Sequence, residues 1–190
     1  MQSYDYANRQ GVRALSWDEC AGLAARAAEL LAALEVDLIV GIARAGLIPA
    51  TMVACSLRCE LYPMRVTRRV NDEVAFRTPI WRVPVPDAVA GHAVAVVDEI
   101  ADTGETLELV RRSVQEHGAA RVVTACLVSH SWASPAPTVA PLVSDELVIF
   151  PWDRRVLIGG QWQPHPEIVA ALAAQGARQP GDGEQGQARG

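Results

Sequence analysis

Hydrophobic and polar positions fall into blocks along this chain. The apolar runs at 37–43 and 92–97 are continuous, which is typical of strands buried on both faces of a parallel sheet. Before them, apolar residues recur at helical spacing over about 17–34, where Ser16 and Glu19 form a capping box. The pattern therefore predicts a helix followed by buried strands.

The same pattern continues along the rest of the chain. Further elements are expected, in chain order, as a helix at about 49–58, a strand at 61–66, a helix at about 105–117 stopped by Gly118, strands at 121–128 and 146–150, and a helix at 165–175. Alternation of strands and helices predicts an α/β fold with a doubly wound, mainly parallel sheet.

Three segments depart from this alternation. The segment at 67–85 is rich in Arg and Pro, and we expect a long mobile loop there that holds at most short strands. Gly and Gln dominate 177–190, so we expect a disordered tail after a single domain at 1–176. The first twelve residues are polar and lack the apolar core of a signal peptide.

Composition narrows the function classes. The net charge of −5 over 190 residues argues against broad nucleic-acid binding, which needs a basic surface. The apolar runs are far shorter than the roughly 18 residues of a membrane span. The four cysteines lack zinc-site spacing, so we expect reduced thiols. These features predict a cytoplasmic protein that contacts neither nucleic acid nor a membrane.

The candidate chemistry lies where a strand gives way to a helix, in VAVVDEIADTGETL at 94–107. Gly104 lets the backbone approach a ligand closely, and the amides of a helix start favour an anion. Thr103 and Thr106 add hydroxyl donors. A phosphate monoester fits this cradle.

Two acids, Asp98 and Glu99, precede the cradle at the end of the strand. Carboxylates at this position suit sugar hydroxyls or a hydrated Mg²⁺, so the segment as a whole suits ribose 5-phosphate. Asp-Thr-Gly is also the catalytic triplet of aspartic proteases, but those are all-β and need two copies. A nucleotide P-loop is excluded because the chain contains no Lys. A solvated tight turn remains the other alternative.

The segment at 98–106 resembles the signature for 5-phosphoribosyl-1-pyrophosphate (PRPP) in type I phosphoribosyltransferases, and it matches at every defining position. The resemblance implies the fold of that family, a doubly wound sheet with a small hood region. It assigns Asp98 and Glu99 to the ribose hydroxyls and Mg²⁺. It assigns the 5′-phosphate to a loop of five residues, Asp102, Thr103, Gly104, Glu105 and Thr106.

A second resemblance lies between an earlier strand and helix. Arg44, Ala45 and Gly46 are similar to the pyrophosphate loop of the hypoxanthine/xanthine/guanine branch of this family. Helix-start amides and one guanidinium suit a diphosphate. The alternative is an ordinary tight turn between a strand and a helix.

A third resemblance concerns the base. The segment 150–153 is similar to the aromatic-then-acid segment that closes over the base in purine enzymes of this branch. It implies that Trp152 stacks on a planar ring and that Asp153 is a further contact to Mg²⁺. The alternative for Trp152 is a core position after a strand.

One feature of the branch is missing. Its 6-oxopurine enzymes use a Lys after the strand that follows the PRPP helix, and this chain has none. His130 is the nearest donor to that place, although a neutral imidazole donates only one hydrogen bond. Either His130 binds the exocyclic oxygen in place of the Lys, or the acceptor is another planar base. The third interpretation is that His130 is a histidine on the surface of a loop.

The resemblance implies a mechanism. PRPP binds with Mg²⁺, the bond from C1′ to pyrophosphate breaks, and a ring nitrogen of a nucleobase attacks. Asp102 is expected to remove the proton of that nitrogen, and Arg44 to stabilise the leaving group. Arg68 or Arg69 is expected to close over the site, surface arginines being the alternative.

These expectations define a phosphoribosyltransferase that acts on a nucleobase, foremost a 6-oxopurine, in purine salvage. By family analogy a homodimer is expected. Two alternatives stay open. The first is transfer to a pyrimidine or a specialised base. The second is a non-catalytic member of the fold that senses PRPP or a nucleotide.

Overall fold

A computed structural model describes residues 9, 11–67, 69–70, 73–74 and 79–176. These residues form two compact units, a larger one at 18–144 and a smaller one formed by the flanking segments. The proposed single domain at 1–176 stays a prediction. The tail at 177–190 and Arg68 lie outside the described residues.

The described helices and strands alternate over most of the chain. In chain order they are β1 (Val12–Ala14), α1 (Trp17–Ala33), β2 (Leu38–Ile42), α2 (Leu47–Leu57), β3 (Glu60–Thr67), β4 (Arg69–Val70), β5 (Glu73–Val74), β6 (Ile80–Val83), β7 (Ala93–Ala101), α3 (Glu105–Glu116), β8 (Arg121–Ser129), β9 (Leu142–Val143), β10 (Leu147–Ile149), β11 (Arg155–Ile158), β12 (Gln161–Pro164) and α4 (Pro166–Ala174). No helix among them has the length and apolar character needed to cross a membrane.

A six-stranded sheet forms the centre of the larger unit, in the order β6-β3-β2-β7-β8-β9. Every neighbouring pair is parallel except β3 with β6, which is antiparallel. All five residues of β2 are buried, as its continuous apolar run predicts. The prediction of an α/β fold with a mainly parallel sheet is confirmed.

Helices cover both faces of this sheet. On one face α1 and α2 pack against Ile39, Ala95 and Val97. On the other face α3 packs against Val40 and Val96. Alternate residues of β2 and β7 thus enter opposite cores, as the two-residue period of a strand requires, and the doubly wound arrangement is confirmed.

The strand that carries the acids is longer than predicted. β7 runs to Ala101 instead of ending at 97, so Asp98 and Glu99 lie within the strand. The reason is its neighbour, since β8 continues alongside and pairs Asp98 with Cys126 and Ala101 with Ser129. The carboxyl end of β7 therefore holds both acids in a fixed backbone geometry.

The segment at 67–85 contains short strands. β4 pairs with β5 in an antiparallel ribbon, and β6 adds an edge strand to the central sheet. Arg69 lies in β4.

The smaller unit has its own core. β1 pairs with β10 in parallel, and the core residues are Leu147, Ile149, Ala171 and Leu172. β11 and β12 form a hairpin that the sequence analysis missed. Its turn is Gly159-Gly160, with φ values of 58° and 79°, and such a pair of glycines is a known hairpin signal.

Candidate active site

The predicted phosphate loop lies between β7 and α3. Gly104 has φ 84°, and a Cβ atom there would lie 2.3 Å from the carbonyl oxygen of Pro135. The amide of Ser134 also donates a hydrogen bond to the carbonyl oxygen of Thr103, at 2.8 Å. The segment after β8 therefore packs directly on the phosphate loop, and this close approach requires glycine.

The first turn of α3 extends the cradle. The amide of Glu105 donates to the hydroxyl oxygen of Thr103 at 3.4 Å. Glu105 and Thr106 are exposed, and the amides of a first helical turn have no intrahelical acceptors. The geometry suits an anion bound by amides and hydroxyls.

The acid pair, Asp98 and Glu99, lies in β7 just before the phosphate loop. The amide of Glu99 donates to Oδ1 of Asp98 at 2.9 Å. Burial raises the pKa of both carboxyl groups. For Glu99 the neighbouring Asp98 raises the pKa further, while the charge of Arg44 acts in the opposite direction. Two acids that resist ionisation side by side are typical of a site completed by a cation or by hydroxyl donors.

The predicted pyrophosphate loop lies against this acid pair. A Cβ atom on Gly46 would lie 2.5 Å from Oδ1 of Asp98 and 2.6 Å from the carbonyl oxygen of Ile42. Gly46 is buried and Ala45 is half-buried. Two motifs far apart in the sequence therefore meet at the carboxyl ends of β2 and β7, where ligands bind in such sheets.

The acid pair fits Mg²⁺ by its chemistry. Mg²⁺ prefers oxygen ligands and is usually held by one or two carboxylates together with substrate phosphates. Asp98 and Glu99 offer such carboxylates, and a cation beside them would favour their ionised forms. No cluster of three or more potential metal ligands occurs among the residues that the structure describes.

His130 lies directly after β8. Its side chain is fully buried, and its amide donates to the carbonyl oxygen of Ala101 at 3.1 Å. The ring stacks on Trp132 with a centroid distance of 4.4 Å. Nδ1 lies 2.6 Å from the carbonyl oxygen of Ser144, and Nε2 lies 3.8 Å from Oδ1 of Asp102. His130 is therefore not a surface histidine.

Trp152 and Asp153 belong to the smaller unit. Within that unit the ring of Trp152 stacks on Phe150 at 4.8 Å and meets Trp17 at 5.5 Å and a tilt of 52°. The amide of Asp153 closes a turn onto the carbonyl oxygen of Phe150. Stacking of Trp152 on a base, contact of Asp153 with Mg²⁺ and closure by Arg69 all stay predictions.

Two contributions to the site were missed at the sequence level. The carbonyl oxygen of Pro135 packs closely against Gly104 of the phosphate loop, and that of Ser144 holds the His130 ring. Every residue carries a carbonyl, so no residue-type signal could have indicated them.

The chain is similar to known proteins over most of its length. Residues 13–155 match the family described as Phosphoribosyl transferase domain. Over 152 residues the chain is 30% identical to a xanthine-guanine phosphoribosyltransferase of Gluconobacter oxydans. The match covers 75% of this chain and 85% of that protein. A second xanthine-guanine phosphoribosyltransferase, of Cereibacter sphaeroides, is 29% identical over 60% of this chain and 68% of its own length.

A solved structure is similar over most of the chain. It is a purine phosphoribosyltransferase of Pyrococcus horikoshii, with a TM-score of 0.69 and 29% identity. The match covers 80% of this chain and 100% of that one.

Proposed function

This chain belongs to the phosphoribosyl transferase family, and on that premise we propose that it transfers the 5-phosphoribosyl group of PRPP to a ring nitrogen of a 6-oxopurine and releases pyrophosphate. The chain is a phosphoribosyltransferase, and the proposal concerns its base and the roles of its residues. The observation that supports these roles most is the packing of Gly46 against Asp98 beside the helix-start cradle.

The choice of a 6-oxopurine is supported by the relatives. Proteins about 30% identical to this chain are named xanthine-guanine phosphoribosyltransferases, and both xanthine and guanine carry an oxygen at C6. The structurally similar protein of Pyrococcus horikoshii is named for purines.

Binding of PRPP uses the contiguous part of the site. The 5′-phosphate lies on the helix-start amides, with hydrogen bonds from Thr103 and Thr106. The ribose hydroxyls donate to the carboxyl oxygens of Asp98 and Glu99, which accept most strongly when ionised. Burial raises the pKa of these acids, and a bound cation or hydroxyl donors would favour their ionised forms.

The leaving pyrophosphate lies on the Arg44–Gly46 loop. The Arg44 guanidinium and the amides at the start of α2 hold its charge. Mg²⁺, when bound, supplies further positive charge to the diphosphate. The contribution of the protein is thus positioning and charge stabilisation around C1′.

Asp102 removes the proton of the attacking ring nitrogen. Its side chain is 24% exposed, so it is accessible to a substrate while its backbone is held by the loop. A positioned carboxylate within hydrogen-bond reach of that proton acts as a general base.

A different base is the second candidate. The chain has no Lys to hold an exocyclic oxygen, and Nδ1 of His130 is already bonded to Ser144. Leaving a buried carbonyl without a donor costs about 1–3 kcal/mol. Such a cost would disfavour 6-oxopurines relative to another planar base.

A panel of acceptors tests the proposal. Initial rates with PRPP and Mg²⁺ are measured for hypoxanthine, guanine, xanthine, adenine, orotate and uracil. We expect turnover of at least one 6-oxopurine above all the other bases. Turnover of another base alone would support the second candidate. Tight PRPP binding with no turnover of any base would favour a sensing role.

A further inference from the structure

The imidazole of His130 is held in one orientation. Its side chain is fully buried, its ring stacks on Trp132 at 4.4 Å with an interplanar angle of 14°, and its amide is bonded to Ala101. Turning the ring over would replace Nδ1 by a carbon atom at the carbonyl oxygen of Ser144 and so lose that hydrogen bond. The two ring nitrogens therefore have fixed and different partners.

The partner of Nδ1 determines the tautomer. A backbone carbonyl oxygen can only accept a hydrogen bond, so Nδ1 of His130 must carry the proton that it donates to Ser144 at 2.6 Å. In a neutral imidazole only one nitrogen is protonated. Nε2 of the neutral ring is consequently the one that carries a lone pair.

That lone pair faces Asp102. Nε2 lies 3.8 Å from Oδ1 of Asp102, beyond the usual hydrogen-bond range of about 2.7–3.2 Å. An ionised carboxylate and an imidazole lone pair are both acceptors, so they do not attract at closer range. One proton placed between them converts this pair into a hydrogen bond.

We propose that His130 accepts, at Nε2, the proton that Asp102 removes from the ring nitrogen of the base. The N–H bond of the base breaks as an O–H bond forms on Asp102. That O–H bond then breaks as an N–H bond forms on His130, which leaves an imidazolium beside a carboxylate. Only a proton moves, and no co-reactant is needed.

The surroundings suit this product. In the imidazolium both nitrogens are donors, and each has an acceptor, Ser144 for Nδ1 and Asp102 for Nε2. A charge-assisted hydrogen bond between the new ion pair is stronger than a neutral one. The carboxylate of Asp102 is regenerated close to the ribose site.

This inference rests on the proposed function, because it adds a residue to the same reaction. It differs from the prediction that His130 binds the exocyclic oxygen. His130 acts here through Asp102 and not on the base, so its loss should slow the transfer step for every base that reacts. Loss of an exocyclic contact should instead raise KM for 6-oxopurines alone.

Two substitutions test the proposal. His130→Asn keeps an N–H near the position of Nδ1, and His130→Gln places an amide near Nε2, but neither amide accepts a proton at neutral pH. His117→Asn is the matched control, since His117 also has Nδ1 close to a carbonyl, that of Ser113 at 2.7 Å, but is exposed at the end of α3. Single-turnover rates isolate the transfer step from product release.

We expect both His130 variants to lower the single-turnover rate by about 10²-fold, the lower end of general acid–base assistance. KM for the base and the affinity for PRPP should change much less, and His117→Asn should match wild type. A wild-type rate in either His130 variant would overturn the proposal, as would a raised KM with an unchanged rate. Absence of turnover by wild type would instead defeat the proposed function.

A measurement on the wild-type protein covers the case in which the variants do not fold. NMR of protein labelled with ¹⁵N-histidine reports which ring nitrogen is protonated. We expect His130 to be protonated at Nδ1 and unprotonated at Nε2 in the ligand-free protein at neutral pH. The opposite tautomer, or a ring protonated at both nitrogens, would refute the relay.

Discussion

The predicted ribose-phosphate end of the site and the predicted proton-transfer residues at its base end are built differently, although both groups lie in the larger unit. At the first end, one stretch from Asp98 to Thr106 supplies acids, amides and hydroxyls, and only the Arg44–Gly46 loop joins it. At the second end, Asp102 of the same stretch meets His130 and the backbone carbonyl of Ser144, which come from two other segments. We therefore expect backbone conformation to control binding at one end, and the position of a single proton to control chemistry at the other.

The acid pair should have the largest effect of all. Replacing Asp98 and Glu99 together by Ala should weaken PRPP binding and nearly abolish transfer, because both ribose acceptors are lost. The fold should persist, since burial raises the pKa of both carboxyls and so disfavours their charged forms in the native state.

Calorimetry of PRPP binding and a thermal melt check this result. Glu116→Ala, a change of one exposed carboxylate in α3, is the control for an altered net charge. Unchanged PRPP affinity in the double variant would remove the acid pair from the binding site.

Substitution of Asp102 should lower the rate of transfer much more than the affinity for PRPP. Asp102→Asn keeps the shape of the loop but removes the base, so kcat should fall by about 10²–10⁴-fold. Affinity for PRPP should change much less, because the amides and hydroxyls of the cradle remain. The measurement is kcat where chemistry limits turnover, beside PRPP binding by calorimetry. A variant with near wild-type kcat would take Asp102 out of the mechanism.

The contrast also explains what the sequence could predict. The β7–α3 stretch is local, so residue order alone indicates its strand, its loop, its helix and the ligand that fits them. The extension of β7 through Asp98 was missed because it depends on pairing with β8, which contributes Cys126 and Ser129. The orientation of the His130 ring was missed because it depends on a carbonyl fourteen residues later.

In the smaller unit, too, a strand that depends on a distant pairing partner was missed, whereas local features were predictable. The strand at β10 was predicted from its own apolar residues. Its partner β1 was not, because Val12–Ala14 is a short run with an exposed Arg13 and becomes a strand only by pairing with Leu147–Ile149. The Gly159-Gly160 hairpin was local and could have been predicted.

Substitution of Gly104 tests how tightly the phosphate loop packs against the segment that follows β8. Ala at this position carries the strain of a positive φ and also meets the carbonyl oxygen of Pro135 at 2.3 Å. Gly91 is a matched control, with φ 79° and no atom within 4 Å of a Cβ. Gly104→Ala should therefore be less stable than Gly91→Ala by about 1–3 kcal/mol, the usual cost of overpacking.

Urea denaturation of the two variants measures this difference, and PRPP binding measures its consequence for the site. We expect weaker PRPP binding only in Gly104→Ala. Equal stabilities would mean that the segment at Pro135 moves away at little cost, and that the two ends are less tightly coupled than their packing indicates.

The smallest effect should come from the outer face of α3, where charges lie on the surface of the ribose-phosphate end. Glu108 accepts hydrogen bonds from Nε of Arg111 at 2.6 Å and from Nε of Arg112 at 2.6 Å. The bond from Arg111, followed by that from Arg112, lowers the pKa of Glu108 to about 2. Glu108 is half-buried but both arginines reach solvent, and ion pairs near the surface contribute about 1 kcal/mol or less.

Glu108→Gln should therefore lower the free energy of unfolding by at most about 1 kcal/mol at neutral pH and leave PRPP binding unchanged.

The lowered pKa of Glu108 determines how its contribution to stability changes with pH. The native state favours the ionised carboxylate, so its contribution is complete above the ordinary value of 4.5 and is lost as the pH falls toward 2. Denaturation of wild type and variant at several pH values should show a gap that shrinks on acidification. Glu116→Gln, which removes the same charge near the end of the helix, should show no such gap, because a negative charge there is disfavoured by the helix dipole. A gap that stayed constant down to acidic pH would show that Glu108 acts through packing and not through its charge.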